Sequence, residues 1–193
     1  MNNKKILLVG GCGFIGHNLA IHLKKMGADP VIVDSLAVNN ILSFADNDIK
    51  NKKLYSSILN NRIELLNIKE IKLIIQDARD YHAISKIYNE IKPEIIIHLA
   101  AVSHANKSNK DPHSTFDHSF RTLENTLDYA KKNKTHTIYM SSSMVYGNFD
   151  SQDVKEERPC KPIGIYGTLK YSGELLVKAY SDVFDLPYTI IRP

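Results

Sequence analysis

The sequence predicts an α/β fold built on a parallel sheet, and three observations carry that prediction. Short apolar runs without polar alternation recur along the chain, the pattern of strands covered on both faces. Segments of helical period separate them, and no internal repeat argues for another architecture. The first run stops at a cluster of glycines, Gly10, Gly11, Gly13 and Gly16, that opens a helix.

Ile6 to Val9 forms the first strand, and the helix after the glycines runs from about Phe14 to Met26. A second strand, Val31-Ile32-Val33, ends in Asp34. Residues 35–69 are rich in Asn, Ser and Lys and read as a loop-and-helix crossover with an amphipathic patch near Leu54 to Leu59. Ile71 to Ile75 is the third strand, ending at Gln76-Asp77-Ala78-Arg79-Asp80. A helix through Ile84, Ile87, Tyr88 and Ile91 gives way at Pro93 to a fourth strand, Glu94 to Ala101. The small residues that end this strand let a flat ligand pass close to backbone. Asp111-Pro112 starts a long helix reaching about Asn133. The fifth strand, Thr137 to Met140, leads into Ser141-Ser142-Ser143-Met144-Val145-Tyr146-Gly147. A charged, proline-containing loop covers 148–162, a last helix begins near Tyr166, and Tyr188 to Ile191 is the sixth strand. The predicted architecture is a Rossmann-type, doubly wound parallel sheet with helices on both faces and strand order 3-2-1-4-5-6.

A chain of 193 residues with 43% hydrophobic content can bury one substantial core, so a single domain over 1–193 is expected. Its net charge of +4 comes from 25 basic and 21 acidic residues scattered along the chain, a solvated mixed surface rather than a nucleic-acid face. Cys12 and Cys160 lie far apart without metal-spaced partners and read as free thiols of a reducing, cytoplasmic compartment. The histidines form no metal-binding pattern, so no metal is assigned. The apolar run near the N-terminus is too short for a signal peptide or a membrane span.

The glycines at 10, 13 and 16 suit a strand-to-helix turn. One serves the turn, one the approach of backbone to a phosphate, and one the close packing of helix on strand. A diphosphate there meets the free N–H groups and positive dipole end of the helix. Asp34, eighteen residues after Gly16, stands where such a fold places the acid for the adenosine ribose 2′-hydroxyl. A carboxylate repels a 2′-phosphate, which favours NAD over NADP. Asp77 follows a strand's carboxyl end and suits either a ligand contact or a helix N-cap.

Tyr166 and Lys170 are four apart, on one helix face. A neighbouring ammonium is expected to lower the Tyr166 pKa toward that of a general base. Tyr88 and Lys92 repeat the spacing, but they end the helix before Pro93 with no serine-rich strand end upstream, so that pair is set aside. The serine cluster at the end of the fifth strand lifts Tyr166. Ser142 can donate to a substrate oxygen while Tyr166 takes its proton and a nicotinamide takes the hydride.

Taken together, the glycine turn from Gly10 to Gly16, Asp34, the stretch 76–80, His98-Leu99-Ala100-Ala101, the stretch 141–147 and Tyr166 with Lys170 resemble the extended short-chain dehydrogenase/reductases. The nearest branch is the NAD-dependent epimerase/dehydratase group that acts on nucleotide sugars, and the match runs from Lys4 to the last residue. The resemblance implies Gly10, Gly13 and Gly16, with Phe14 and Ile15 between them, at the diphosphate. It puts Asp34 at the ribose, Asp77 and Ala78 at the adenine, and Leu99, Ala100 and Ala101 along the cofactor. It gives Lys170 to the nicotinamide ribose, Tyr166 the role of base and Ser142 that of its partner.

Departures from the family pattern shape the functional reading. Gln76 replaces a usual glycine, and Ser119 stands where many members carry asparagine. The 4,6-dehydratases place an acidic pair after the catalytic Ser or Thr, where this chain has Ser143 and Met144, neither able to do that acid-base work. Val102-Ser103-His104 and Lys107-Ser108 nevertheless resemble the corresponding dehydratase stretch. The chemistry favours a nucleotide-sugar 4-epimerase-like enzyme over a reductase or 4,6-dehydratase of the same family. A non-catalytic NAD-binding or regulatory protein is the rival from another class. Family members continue past the sixth strand into a substrate-binding domain, so the resemblance implies that residues 1–193 are the cofactor half, binding NAD with little or no turnover. It also implies a homodimer through the fourth and last helices (Phe116, Phe120, Leu123, Leu127; Leu175, Leu176, Ala179), where packing on the sheet is the alternative.

Overall fold

The computed structural model describes residues 2–38, 40–42, 51–103, 105–149 and 154–193. The crossover predicted for 35–69 and the loop predicted for 148–162 each fall partly outside them. The six strands form one sheet in the order β3-β2-β1-β4-β5-β6, the predicted order. The chain forms two compact units, residues 1–100 and 101–193.

In the first unit, β1 (Lys5–Val9) pairs in parallel with β2 (Asp29–Asp34) on one side and β4 (Ile95–His98) on the other. Its register sets Leu7 beside Val31 and Ile96, and Val9 beside Val33 and His98. Ile6 to Val9 are buried, as an apolar run without alternation requires. β3 (Lys72–Ile75) adds to β2 at the edge. Helix α1 (Phe14–Lys25) buries Ala20 and Leu23 and ends with Lys24 and Lys25, cations that suit a helix C-terminus. Helix α2 (Lys52–Ile68) extends the amphipathic patch to five turns and buries Leu59 and Leu66. Helix α3 (Tyr81–Ile91) ends at left-handed Lys92, followed by Pro93, and buries Ile84 and Tyr88 completely. Tyr88 is thus a core side chain, which accounts for the set-aside Tyr-Lys spacing.

The second unit begins with two short helices, α4 (Ala105–Lys110) and α5 (Pro112–Phe116). Asp111 caps α5 by accepting from the Ser114 N–H at 3.0 Å, and Pro112 fills the first turn, as predicted. The helix continues through π turns at Asp117–Arg121 into α6 (Thr122–Asn133). No proline or glycine marks this widening in the sequence. Inside it the Ser119 hydroxyl accepts from the Val102 N–H, and the Thr122 hydroxyl donates to the His118 carbonyl. β5 (His136–Met140) pairs in parallel with β6 (Tyr188–Ile191), and a 3₁₀ turn follows β5 at Ser143–Tyr146. Helix α7 (Gly164–Phe184) packs closely on β5, because a Cβ at Gly173 would meet the Tyr139 hydroxyl at 2.3 Å.

A buried ion pair fastens this unit. Glu174 of α7 is 0% exposed and accepts from two nitrogens of the Arg192 guanidinium, at 2.9 and 2.6 Å. Arg192 also donates to the Tyr146 hydroxyl at 2.7 Å and to the Glu156 carbonyl at 3.0 Å, and the Ser141 hydroxyl donates to Glu174 at 2.5 Å. Removing one partner strands the other charge in the interior. Glu174→Ala is expected to destabilise the protein by about 3–5 kcal/mol. Glu124→Ala, which breaks the exposed Arg121–Glu124 pair, should cost about 1 kcal/mol or less. Urea denaturation of the two variants measures the contrast.

Candidate active site

The glycine turn of the first unit is built from backbone packed on backbone. Gly10 has φ +74°, and a Cβ there would lie 2.6 Å from the Ala100 main chain. A Cβ at Gly16 would lie 2.3 Å from the Gly11 carbonyl oxygen. At Gly13, the N-cap of α1, the nearest atom to an added Cβ is 3.8 Å away, so this glycine borders open space. No side chain caps α1, which leaves its first N–H groups directed at that space. Phe14 and Ile15, the first two residues of α1, are exposed beside it. An anion of diphosphate size fits such a cradle, with its charge favoured by the helix dipole.

Asp34 ends β2 and closes the cradle. One carboxylate oxygen accepts from the Cys12 N–H at 2.9 Å and the other from the Leu36 N–H at 2.8 Å. Burial raises the Asp34 pKa, and the two backbone donors oppose that rise. Each oxygen keeps a further lone pair, the arrangement a ribose diol requires. The Cys12 thiol is buried, and its pKa is pushed up to about 11 by burial and the Asp34 charge, so it is no nucleophile near neutrality. His17 reaches back from α1 to the Gly13 carbonyl at 2.8 Å.

The structure decides one alternative at the third strand. Asp80, not Asp77, caps α3 by accepting from the Ala83 N–H at 3.0 Å. Asp77 accepts instead from the Arg79 N–H at 2.9 Å and from the Arg79 guanidinium at 2.6 Å, beside buried Ala78. Leu99 donates its N–H to the Val9 carbonyl at 2.8 Å, which extends the β1–β4 pairing past β4. Leu99 and Ala100 are half-buried there, and Ala101 opens the second unit.

In the second unit Ser142, Tyr166 and Lys170 come together. The Ser142 hydroxyl accepts from the Met144 N–H at 3.2 Å, capping the 3₁₀ turn, and shares a hydrogen bond with the Tyr166 phenol. Lys170 is buried one helical turn beyond Tyr166. Its Nζ donates to the Met140 carbonyl at 2.7 Å and lies 5.2 Å from the Tyr139 ring centroid. Burial lowers the Lys170 pKa to about 8. Burial raises the Tyr166 pKa, and the hydrogen bond with Ser142 opposes that rise. This hydrogen bond from Lys170 ties α7 to the end of β5 and leaves the ammonium two further donors.

Sequence reasoning missed what supports these three groups. Gly167 lets α7 lie against the turn, since a Cβ there would meet the Met144 carbonyl at 2.8 Å. Asn109 accepts from the Ile165 N–H at 3.2 Å at the start of α7. Glu174 follows Lys170 by four residues, so the spacing that found Lys170 also reaches the carboxylate that holds Ser141. Ser143 and Met144 sit in the 3₁₀ turn, and Met144 is exposed. His104 lies outside the described residues.

The sequence matches the NAD dependent epimerase/dehydratase family over residues 6–193. It is 30% identical to a putative UDP-glucose 4-epimerase of Methanocaldococcus jannaschii, over 97% of this chain and 54% of that protein. It is also 30% identical to the dTDP-D-glucose 4,6-dehydratase of Dictyostelium discoideum, over 100% of this chain and 45% of that protein. Among solved structures it resembles the UDP-glucuronic acid 4-epimerase of Bacillus cereus in complex with UDP-glucuronic acid and NAD. There the TM-score is 0.80 at 27% identity, covering 97% of this chain and 55% of that one. The chain thus spans about half the length of these relatives.

The depressed Lys170 pKa gives stability a signature in pH. Folded Lys170 loses its proton near pH 8, whereas the unfolded chain holds it to about 10.5. The unfolded chain therefore binds more protons between these values, and stability rises with pH across that window. The contribution is present above the unfolded pKa and lost as pH falls toward 8. A Lys170→Met variant is expected to lack this rise, on the order of 1–3 kcal/mol, in urea midpoints taken between pH 8 and 10.

Proposed function

Since the chain belongs to the NAD dependent epimerase/dehydratase family, whose cofactor is NAD, we propose that it binds NAD and forms the cofactor-binding part of a nucleotide-sugar 4-epimerase. Gly10, Gly13, Phe14, Ile15 and Gly16 would hold the diphosphate, Asp34 the adenosine ribose, and Asp77 with Ala78 the adenine. Leu99, Ala100 and Ala101 would line the cofactor further along, and Lys170 would hold the nicotinamide ribose. NAD supplies hydride exchange with the sugar carbon. Tyr166 takes the proton of the sugar hydroxyl, and Ser142 donates to the same oxygen and steadies the phenolate that forms. Once the keto sugar has turned, Tyr166 returns the proton.

The observation that carries this reading is the hydrogen bond between Ser142 and Tyr166, with Lys170 buried one turn on. The residues after Ser142 favour epimerisation over dehydration. Loss of water needs a proton donor and acceptor there, and Ser143 and Met144 offer a hydroxyl and a thioether. We further propose that residues 1–193 are one cofactor domain and that grip on the nucleotide sugar comes from sequence beyond them, in keeping with relatives about twice as long. A homodimer through α5, α6 and α7 is part of the same proposal. Leu123 and Leu127 are core residues, which leaves Phe116, Phe120, Leu175, Leu176 and Ala179 for the contact. A cytoplasmic location fits as well, and no helix among the described residues is long and apolar enough to cross a membrane.

Calorimetry of the 193-residue chain is expected to show NAD binding in preference to NADP, and no heat with NAD would overturn the proposal. With NAD bound, UDP-glucose or UDP-glucuronic acid should be converted slowly to its 4-epimer, followed by NMR. Tyr166→Phe should lower that rate by about 10²–10⁴-fold without loss of NAD affinity. Net sugar reduction at the expense of added NADH would mark a reductase. NAD binding with no conversion even in a full-length form that includes a substrate-binding part would mark a binding protein.

A further inference from the structure

We propose that Arg62 is a further cofactor-binding residue, the side chain that pairs with the diphosphate of the dinucleotide beside the first turn of α1. The inference rests on the NAD reading above and goes beyond it, because no glycine-turn motif includes a residue of α2.

Arg62 sits on the packing face of its helix. Leu59 and Leu66 are the buried residues of α2, and Arg62 lies three after one and four before the other, so its stem shares their side. It is half-buried there. A guanidinium on such a face is costly unless a partner compensates its desolvation. Among the described residues no carboxylate pairs with Arg62. What it does meet is Phe14, the first residue of α1, whose ring centroid lies 5.9 Å from the guanidinium carbon. Phe14 is 71% exposed, so its ring props the cation at the open rim of the cradle rather than sealing it in the core.

Charge gives the same assignment. The cradle itself offers neutral donors, the first N–H groups of α1, and one acid, Asp34. A diphosphate carries about two negative charges and would enter next to that acid. The Arg62 charge is felt at the Cys12 thiol in the middle of the turn, opposing Asp34. A guanidinium presents two parallel N–H donors that match a phosphate's oxygens, which a lysine at the same place does not.

The test compares wild type, Arg62→Gln and Arg62→Lys with NAD, ADP-ribose, NADP and adenosine, by calorimetry at low and moderate salt and by NMR for adenosine. Arg62→Gln is expected to weaken NAD and ADP-ribose by about ten- to hundredfold. It should also flatten their salt dependence, while adenosine binding and the thermal midpoint stay as in wild type. Arg62→Lys should restore part of the affinity. Unchanged NAD and ADP-ribose affinity in Arg62→Gln would overturn the inference, as would a loss confined to NADP, which would make Arg62 a reader of the 2′-phosphate. Wild type that binds neither NAD nor ADP-ribose would overturn the NAD reading as well.

Discussion

The constraint on which the first unit depends is the approach of bare backbone to backbone at the end of β1. Side chains at positions 10 and 16 would collide with the main chain of Ala100 and of Gly11, at 2.6 and 2.3 Å. Only because both are glycine does α1 start directly above the strand ends, with its first N–H groups aimed outward. The same contact leaves Gly13 facing open space. Asp34 then depends on this turn, because one of its oxygens is held by the Cys12 N–H. The glycine turn and Asp34 are therefore one piece of structure.

The second unit has a different keystone, a charge rather than an absence of side chains. Glu174 and Arg192 are paired in the interior, and the pair holds Ser141 and Tyr146 on either side of Ser142 and its 3₁₀ turn. Ser142 is thereby fixed to meet the Tyr166 phenol. Lys170 works on the other flank, bonded to the last carbonyl of β5. Burial acts on these groups in opposite senses, since it disfavours whichever form is charged. It raises the Tyr166 phenol and lowers the Lys170 ammonium, which moves the two titrations apart. The Ser142 hydrogen bond opposes the rise at the phenol.

Periodicity and glycine placement were enough to read the six strands and the strand-to-helix turn, and the Rossmann-type pattern supplied their order. These features are local: a short apolar run without alternation suits a strand covered on both faces, and at Gly10 and Gly16 a side chain will not fit. The Tyr-Lys spacing needed its neighbourhood before it meant anything. Tyr88 and Lys92 carry the same spacing, yet Tyr88 is wholly buried, with the serine turn nowhere in its own unit.

What the sequence by itself determined is the fold, the glycine turn with Asp34, and the set Ser142, Tyr166 and Lys170, since strand pattern, turn chemistry and helical spacing act over a few residues. Only the tertiary structure decided that Asp80 and not Asp77 caps α3, that Lys170 donates to a strand carbonyl, and that Glu174 meets Arg192. It also decided that Arg62 of α2 reaches Phe14. Those outcomes depend on which side chains distant in sequence are brought within a few ångströms, and on how deeply each is buried. Neither quantity is a property of any local stretch of chain.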